Sequence, residues 1–339
     1  MELVTAGMTN APVVAIGEGM LEISRGERRW RLAYGGDTLN TAVYLSRLGV
    51  PTSYLTALGD DPFSSRLRAQ WQREGVDVSS VLTCKGLLPG LYAICRDPTG
   101  ERTFHYWRRN SAARRLFNAP EIAQVTSSLA STPLVYLSGI TLSLYAPGKL
   151  RKLVDFLTEV RRREGAVAFD PNYRAKLWPT VAAARRAIKS IAELITCVLP
   201  TDADELQLYG TADPKGIVAR WQSFGVHEIV IKMGSAGCII ATGRKMTRVA
   251  ANIVEHPRDT TGAGDSFNAA YLAARLGGAG VARSAAAGNA LASTVIRHPG
   301  AIIPRSAMPA IPVPSRARRY SPKSTESPLR ARRQNTHRT

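Results

Sequence analysis

The 339-residue sequence is poor in cysteine and histidine. Its four cysteines, Cys84, Cys95, Cys197 and Cys238, form no C-x-x-C pair, and its five histidines form no cluster with the spacing of metal ligands. The first absence excludes a zinc knuckle and a disulfide framework, and the second excludes a catalytic metal bound by protein nitrogen. We therefore expect reduced thiols, as in a cytoplasmic protein.

The sequence also lacks any stretch of about 18 uncharged apolar residues, so we expect no membrane partner. Residues 1–10 contain no basic segment followed by an apolar one, unlike a secretory signal peptide. No G-x-x-x-x-G-K-[ST], G-x-S-x-G or H-E-x-x-H motif occurs, and Gly17-Glu18-Gly19 lacks the third glycine of a dinucleotide fingerprint. These absences exclude P-loop nucleotidases, α/β-hydrolases, zinc proteases and Rossmann dehydrogenases.

Positive charge is abundant but unevenly placed. The chain has 45 Lys and Arg against 26 Asp and Glu, a net charge of +19. Residues 315–339 contain eight of the basic residues and one acid, within a segment rich in Pro, Ser and Arg. Such a composition buries too little apolar surface to fold. We expect a disordered N-terminus at 1–11, one folded domain at 12–312 and a disordered basic tail at 313–339.

Short apolar, β-branched segments alternate with segments of helical periodicity along the domain. This alternation predicts an α/β fold with a mostly parallel sheet covered by helices on both faces. Strands are expected at 13–17, 52–57, 134–138, 166–170, 197–200 and 228–232. Helices are expected after Gly36 and at 62–74, 146–164, 180–192, 202–209 and 214–223, followed by two more that begin at Asp265 and Ala285.

Two regions depart from this alternation. Between Leu21 and Ala33, and between Leu91 and Arg108, polar and apolar residues alternate as in half-exposed strands. Residues 97–100, Asp-Pro-Thr-Gly, have the composition of a hairpin turn. These regions predict a small separate sheet.

The most informative motif is D-T-T-G-A-G-D-S-F at residues 259–267. Gly262 and Gly264 permit a loop whose N–H groups point outward, and the helix expected from Asp265 adds the positive end of its dipole. Such a loop binds a phosphate. Asp265 lies beside that position and is a candidate base for a hydroxyl that attacks a phosphoryl group. An ordinary helix-start acid after a glycine turn is the alternative interpretation.

A second motif, Y-G-G-D-T-L-N-T-A at residues 34–42, precedes a helix. The two motifs, in this order and about 225 residues apart, resemble the N- and C-terminal signatures of the ribokinase-type (PfkB) carbohydrate kinases, and the resemblance extends from about Pro12 to about Pro309. It implies a ribokinase-like three-layer α/β/α fold with a small β-sheet lid, formed within about 20–34 and 90–110. It also implies an ATP-dependent kinase, with dimerisation through the lid as in many family members.

The resemblance implies roles for individual residues. Gly262, Ala263, Gly264 and Asp265 would form the catalytic loop, and Gly35, Gly36 and Asn40 would bind the sugar. On the nucleotide side, a K-x-G-x-x-G element contributes Lys232, Gly234 and Gly237, and Asn289 would line the adenine pocket. In place of the family's N-x-x-E magnesium motif this chain has D-A-D-E, so Glu205 and Asp202 are the expected Mg²⁺ residues, with Asp204 able to share the role.

Narrower features resemble the family members that act on keto-deoxy sugar acids. They are the G-G-D-T-L-N-T-A variant and the segments at residues 106–115 and 170–179. A substrate carboxylate would pair with Arg108 and Arg174, while Tyr92 and Tyr106 contact hydroxyls. Arg174 is the stronger candidate, because it follows a strand end where ligands of open sheets bind, whereas an Arg-Arg pair such as 108–109 is usually solvated.

Two alternatives stay open at this point. One is a kinase of the same family for another sugar or a nucleoside. The other is a nucleic-acid-binding protein that uses the basic tail, but a disordered tail lacks base-reading groups, so nucleic acid is not the expected partner.

Overall fold

The computed structural model describes residues 11–25, 29–96, 102–145 and 148–311. Three predictions from the sequence lie outside these residues: the disorder of residues 1–10, the hairpin turn at 97–100 and the disordered tail at 313–339. Within the described ranges, no helix combines the length and the apolar character needed to cross a bilayer.

Thirteen strands form two sheets in the described part of the chain. They are β1 Val13–Ile16, β2 Met20–Arg25, β3 Trp30–Gly35, β4 Thr52–Leu58, β5 Val81–Thr83, β6 Gly90–Arg96, β7 Arg102–Trp107, β8 Leu134–Ser138, β9 Ala166–Asp170, β10 Cys197–Val198, β11 Glu228–Lys232, β12 Cys238–Thr242 and β13 Lys245–Val249. The large sheet has the order β13-β12-β11-β10-β9-β8-β1-β4-β5. All its pairings are parallel except β11 with β12 and β12 with β13.

Of the helices in the described part of the chain, the first eight connect parallel strands, as parallel crossovers require, and the last two follow the last strand. They are α1 Asp37–Arg47, α2 Pro62–Arg73, α3 Ile122–Leu129, α4 Gly139–Tyr145, α5 Leu150–Arg162, α6 Val181–Lys189, α7 Asp202–Tyr209, α8 Pro214–Ser223, α9 Ala263–Leu276 and α10 Val281–Val295.

The large sheet is apolar on both faces because helices cover both of them. In β1, Val14 and Ile16 pack into one hydrophobic cluster, while Val13 and Ala15 pack into the other. This alternation follows from the two-residue period of a strand. It confirms the predicted three-layer α/β/α architecture.

The small sheet, which we call the lid, has the order β3-β2-β6-β7. Tyr92 of β6 pairs with Tyr106 of β7, and their ring centroids are 5.9 Å apart. Met20 and Ile94 pack with Tyr92 in a small cluster of its own. The lid therefore has an aromatic inner face that is separate from the two large cores.

Some predicted boundaries were wrong. The helix expected at 146–164 spans Leu150–Arg162, and a separate helix, α4, ends at Tyr145. The strand expected at 197–200 ends at Val198, before Pro200, which has no N–H to donate to a neighbouring strand. The last two helices begin at Ala263 and Val281, earlier than expected.

Candidate active site

A cavity of about 660 Å³ lies at the carboxyl ends of the parallel strands, beneath the lid. This is where open α/β sheets bind ligands. Asp170 ends β9 and Lys232 ends β11, and the first turns of α1, α7 and α9 also reach the cavity. Among the residues that line it are Glu18, Gly36, Asp37, Asn40, Tyr92, Tyr106, Arg108, Asp170, Asn172, Arg174, Asp204, Lys232, Gly262, Ala263, Gly264 and Asp265.

The loop before α9 has the geometry of an anion site. Gly262 is the N-cap of α9 with φ of 76°, a left-handed conformation that glycine adopts without strain. The first intrahelical bond runs from the Ser266 N–H to the Gly262 carbonyl, at 2.9 Å. The N–H groups of Gly264 and Asp265 therefore precede the intrahelical ladder, at the positive end of the helix dipole.

Asp265 lies in the first turn of α9 and is joined to α1. The Asn40 Nδ2 donates to Asp265 Oδ2 at 2.8 Å, although the two residues are 225 positions apart, and the Thr41 hydroxyl donates to the Asp265 carbonyl at 3.2 Å. Burial, and then the negative charge of Asp37, raise the pKa of Asp265 to about 8. The two sequence signatures thus meet at a carboxylate whose pKa is suited to a general base.

The raised pKa predicts a pH dependence. A base must be deprotonated to act, so kcat/KM should rise with pH and level off above about pH 8. The Asn40 hydrogen bond lowers the pKa of Asp265, so Asn40→Ala should move this rise to higher pH. Initial rates over about pH 6 to 10 test this. A flat wild-type profile, or an unmoved one in the variant, would contradict it.

Lys232 takes part in a buried network below the base. Its Nζ donates to Asp170 Oδ2 at 2.7 Å and to Asn268 Oδ1 at 3.0 Å. The Asn268 Nδ2 in turn donates to Asp170 and to the Tyr136 hydroxyl. Lys232 lines the cavity, as predicted for a nucleotide-side residue, but its ammonium is already bound to the end of β9.

The glycine pair brings the lid close to α1. A Cβ on Gly36 would lie 2.2 Å from the Glu18 carbonyl oxygen, and its φ is 153°. A Cβ on Gly35 would lie 2.2 Å from the Tyr92 hydroxyl, which itself donates to Glu22 Oε2 at 2.5 Å. Glycine is therefore favoured at both positions, because the Glu18 backbone and the Tyr92 side chain leave no room for a Cβ.

The two candidate arginines differ in environment. Arg108 is 8% exposed and forms an ion pair with the buried Glu18, so it is not the solvated surface charge expected from its Arg-Arg pair. The Arg174 side chain is 57% exposed, and its Nη1 lies 3.7 Å from Asp204 Oδ1. Tyr106 lines the same cavity as both arginines; burial raises its pKa, and the charges of Arg108 and Arg174 partly oppose this. Arg108 is thus the more buried of the two arginines, contrary to the expectation from the sequence, and the binding of a carboxylate by either stays a prediction.

The acids proposed for Mg²⁺ lie in different environments. Glu205 is fully buried, and its carboxylate accepts from the Trp221 indole at 2.9 Å and pairs with Arg220. It lies outside the cavity lining, as does Asp202, whose Oδ1 accepts from the Ala203 N–H. The periodicity of α7 directs Asp204 to the cavity instead, and the magnesium roles of Glu205 and Asp202 stay a prediction.

The other nucleotide-side residues lie away from this cavity. Gly234 and Gly237 form the turn between β11 and β12 with φ of 53° and 86°, and a Cβ on Gly237 would meet the Val249 carbonyl at 2.1 Å. Asn289 of α10 is buried, and its Nδ2 donates to the Ala250 carbonyl at 2.8 Å. These contacts give Gly234, Gly237 and Asn289 a role in packing, and their role in nucleotide binding stays a prediction.

Sequence reasoning did not single out Glu18, Asp37 or Asn172. The Asn172 Nδ2 donates to Asp37 Oδ2 at 2.9 Å, and Asn172 has φ of 32°, which is unusual for a residue other than glycine. Two features of the sequence could have identified them as site residues. Asp37 lies next to the glycine pair, and Asn172 lies just past β9. Glu18 follows β1 directly, which is the same kind of signal.

Gly262 allows a matched test of the anion loop. Ala at this position should be strained by the left-handed φ and by a Cβ 2.8 Å from the Ala301 backbone. Gly225→Ala is the control, because Gly225 has φ of 84° with open space around it. Gly225→Ala should lose about 1 to 2 kcal/mol of stability and Gly262→Ala more, because of the added contact, but only Gly262→Ala should lower kcat, by about tenfold or more. Equal kcat in the two variants would contradict an anion role for the loop.

Comparison with known proteins agrees with this geometry. Residues 2–308 match the pfkB family of carbohydrate kinases. The 2-dehydro-3-deoxygluconokinase of Escherichia coli is 40% identical over 307 residues, covering 88% of this chain and 99% of that protein. The enzyme of the same name from Dickeya dadantii is 40% identical over 312 residues, covering 89% and 100%.

The fold is also found among solved structures. A ribokinase II structure from Escherichia coli, in complex with ATP and Mg²⁺, superposes with a TM-score of 0.75 at 23% identity, covering 86% of this chain and 94% of that one. Its similarity concerns the fold alone. With the family match over nearly the whole domain and the two 40% identical relatives, the chain belongs to the pfkB family of carbohydrate kinases.

Proposed function

We propose that this kinase transfers the γ-phosphoryl group of ATP to the terminal hydroxyl of 2-keto-3-deoxygluconate, giving the 6-phosphate. This is the activity of a 2-dehydro-3-deoxygluconokinase, in the breakdown of sugar acids derived from gluconate or uronates. The observation that carries the proposal is one cavity holding both the Asp265–Asn40 pair at the α9 N-terminus and two arginines, Arg108 and Arg174. The 40% identity to relatives of that name supports it.

Different residues of the cavity act on different parts of the reaction. Asp265 takes the proton of the attacking hydroxyl, and Asn40 and Thr41 hold its side chain and backbone in position. The N–H groups at the start of α9 stabilise the negative charge of the transferring phosphoryl group. Arg108 and Arg174 bind the substrate carboxylate at the other end of the cavity.

The residues present fit a magnesium ion only in part. Asp204 is buried at the cavity wall, and burial and the charge of Asp170 raise its pKa, an arrangement that a cation would relieve. Asp170 is already bound by Lys232 and Asn268, so Asp204 is the residue that would hold Mg²⁺, most directly through water. When bound with ATP, the ion neutralises phosphate charge.

The lid also bears on assembly. Trp30 and Trp107 lie on its outer face and are each 60% exposed, which favours a dimer formed through the lid. Its inner face would exclude water from the cavity. Consistent with the thiols Cys84, Cys95, Cys197 and Cys238, all free, we place the enzyme in the cytoplasm.

A coupled ADP-release assay tests the function. Purified full-length protein with MgATP is offered 2-keto-3-deoxygluconate, fructose, ribose and adenosine at equal concentrations. The sugar acid should give a kcat/KM at least about a hundredfold above any neutral substrate, because only it pairs with the arginines. Preference for a neutral sugar or a nucleoside would replace this proposal with the corresponding kinase of the same family.

A further inference from the structure

Two buried charged side chains line the cavity with unsatisfied hydrogen-bonding atoms. Glu18 is 2% exposed and Arg108 is 8% exposed, and they are in ion-pair contact. Among the described residues, neither carboxylate oxygen of Glu18 has a hydrogen-bond donor aligned with it, and Nε and Nη2 of Arg108 have no aligned acceptor. Burying such atoms without partners is costly, so a ligand that supplies the partners is the physical explanation.

The surrounding backbone leaves room for this pair. Glu18 follows the end of β1 and Arg108 follows the end of β7, so the pair lies where the large sheet meets the lid. A Cβ on Gly90 would come within 2.6 Å of Glu18 Oε1. The absence of a side chain at residue 90 therefore lets the carboxylate take its position at the cavity.

Three other carboxylates of the cavity already have donors. Asn172 donates to Asp37, Lys232 donates to Asp170, and Asn40 donates to Asp265. Glu18 differs from these three because its own charge partner is not aligned as a hydrogen-bond donor. Its oxygens therefore lack a hydrogen-bond donor among the described residues.

The chemistry of the pair defines the ligand. An ionised carboxylate only accepts hydrogen bonds, whereas a guanidinium only donates them. A neutral sugar would satisfy Glu18 but offer Arg108 only uncharged hydroxyl oxygens in place of a bidentate carboxylate, and a simple acid would leave Glu18 without a donor. A hydroxy acid satisfies both.

We propose that Glu18 is a specificity residue that accepts a hydrogen bond from the C4 or C5 hydroxyl of the sugar acid whose carboxylate pairs with Arg108. This inference rests on the proposed function. It adds that recognition of the acid and recognition of a hydroxyl are coupled through one buried ion pair.

The test compares wild type with Glu18→Gln on three substrates: the parent sugar acid and its analogues lacking the C4 or the C5 hydroxyl. With the wild type, one analogue should lose at least about tenfold in kcat/KM relative to the parent. With Glu18→Gln, the KM for the parent should rise about tenfold or more at nearly unchanged KM for ATP. The same analogue should then lose less than about threefold, because the charge-assisted hydrogen bond is already weakened in the variant.

Glu228→Gln is the matched control, since Glu228 is a buried carboxylate paired with Arg275 away from the cavity lining. It should lower the Tm yet leave the KM for the sugar acid and the penalty for each missing hydroxyl as in wild type. Gly90→Ala, which displaces the Glu18 carboxylate from another element, should reproduce the Glu18→Gln pattern.

The proposal is overturned if each analogue loses the same factor with Glu18→Gln as with wild type, because Glu18 would then only position Arg108. Wild-type turnover of the parent acid tests the proposed function by itself. If the wild type does not turn over the parent acid, both proposals are wrong. If turnover is normal but the loss caused by each missing hydroxyl is the same in Glu18→Gln as in wild type, only the role of Glu18 is wrong.

Discussion

Asp265→Asn should lower kcat by roughly 10²- to 10⁴-fold, because the amide cannot take the proton of the attacking hydroxyl. The amide is nearly the same size as the carboxyl group, and the N–H groups at the start of α9 remain. The dissociation constant for ATP should therefore change little. Single-turnover rates and equilibrium ATP binding measure the two quantities separately. A variant that keeps more than about a tenth of the wild-type kcat would refute the base assignment.

Asp213→Asn is the matched control for this change. Asp213 caps α8, where its Oδ2 accepts from the Gly216 N–H, and it lies outside the cavity lining. Asn caps helices about as well as Asp, so kcat should be unchanged.

Thermal unfolding gives a second readout for Asp265 that does not depend on activity. Its folded pKa is raised from 3.8 to about 8, so between these values the folded state binds a proton that the unfolded state has released. The resulting stabilisation is fully present below pH 3.8 and is lost as pH rises to about 8. The side chain of the Asp265→Asn variant cannot titrate, so the Tm of the variant relative to wild type should rise over this pH range.

Arg108→Ala should lower kcat/KM for the sugar acid by about 30-fold to several thousand-fold. Removing one partner of a buried charge pair costs on the order of 2 to 5 kcal/mol, and Arg108 is 8% exposed. Arg174→Ala should cost less than about tenfold, since its side chain is 57% exposed and its charge is screened by solvent. Initial rates at saturating ATP measure both effects.

A neutral sugar serves as the control for Arg108, because weak turnover of fructose involves no carboxylate and should fall much less. Arg108→Lys keeps the charge but not the paired N–H groups, so its kcat/KM for the sugar acid should lie between those of wild type and Arg108→Ala. An equal loss for acid and neutral substrates would mean that Arg108 supports the fold beside Glu18 rather than the carboxylate. A larger loss for Arg174→Ala than for Arg108→Ala would restore the order expected from the sequence.

The central sheet and several helices could be predicted from the sequence with their correct bounds. The strands at 166–170 and 228–232 are short apolar runs between polar segments. This pattern is typical of strands buried on both faces, and it identified them in the sequence. The helices at 202–209 and 214–223 carry local start signals, since Thr201 and Asp213 cap them, and a left-handed Gly210 ends the first.

The rest depends on tertiary contacts that leave little local trace. The strand Lys245–Val249 is mostly polar and half-exposed, so its pairing with β12 determines it. Glu205 and Asp204 are adjacent in sequence, but the contacts of Glu205 with α8 decide which one faces the cavity. Likewise, Arg108 is buried because Glu18, 90 positions earlier, lies beside it.

The hydrogen bond between Asn40 and Asp265 has a consequence for how the enzyme matures. It joins residues 225 positions apart, so the chemistry requires both ends of the domain to be in place. A chain still emerging from the ribosome has its sugar-contacting end long before its base, and contacts this distant in sequence form late and slowly. During refolding, recovery of activity should therefore trail the recovery of helical signal. Phosphorylation of the substrate thus reports complete folding.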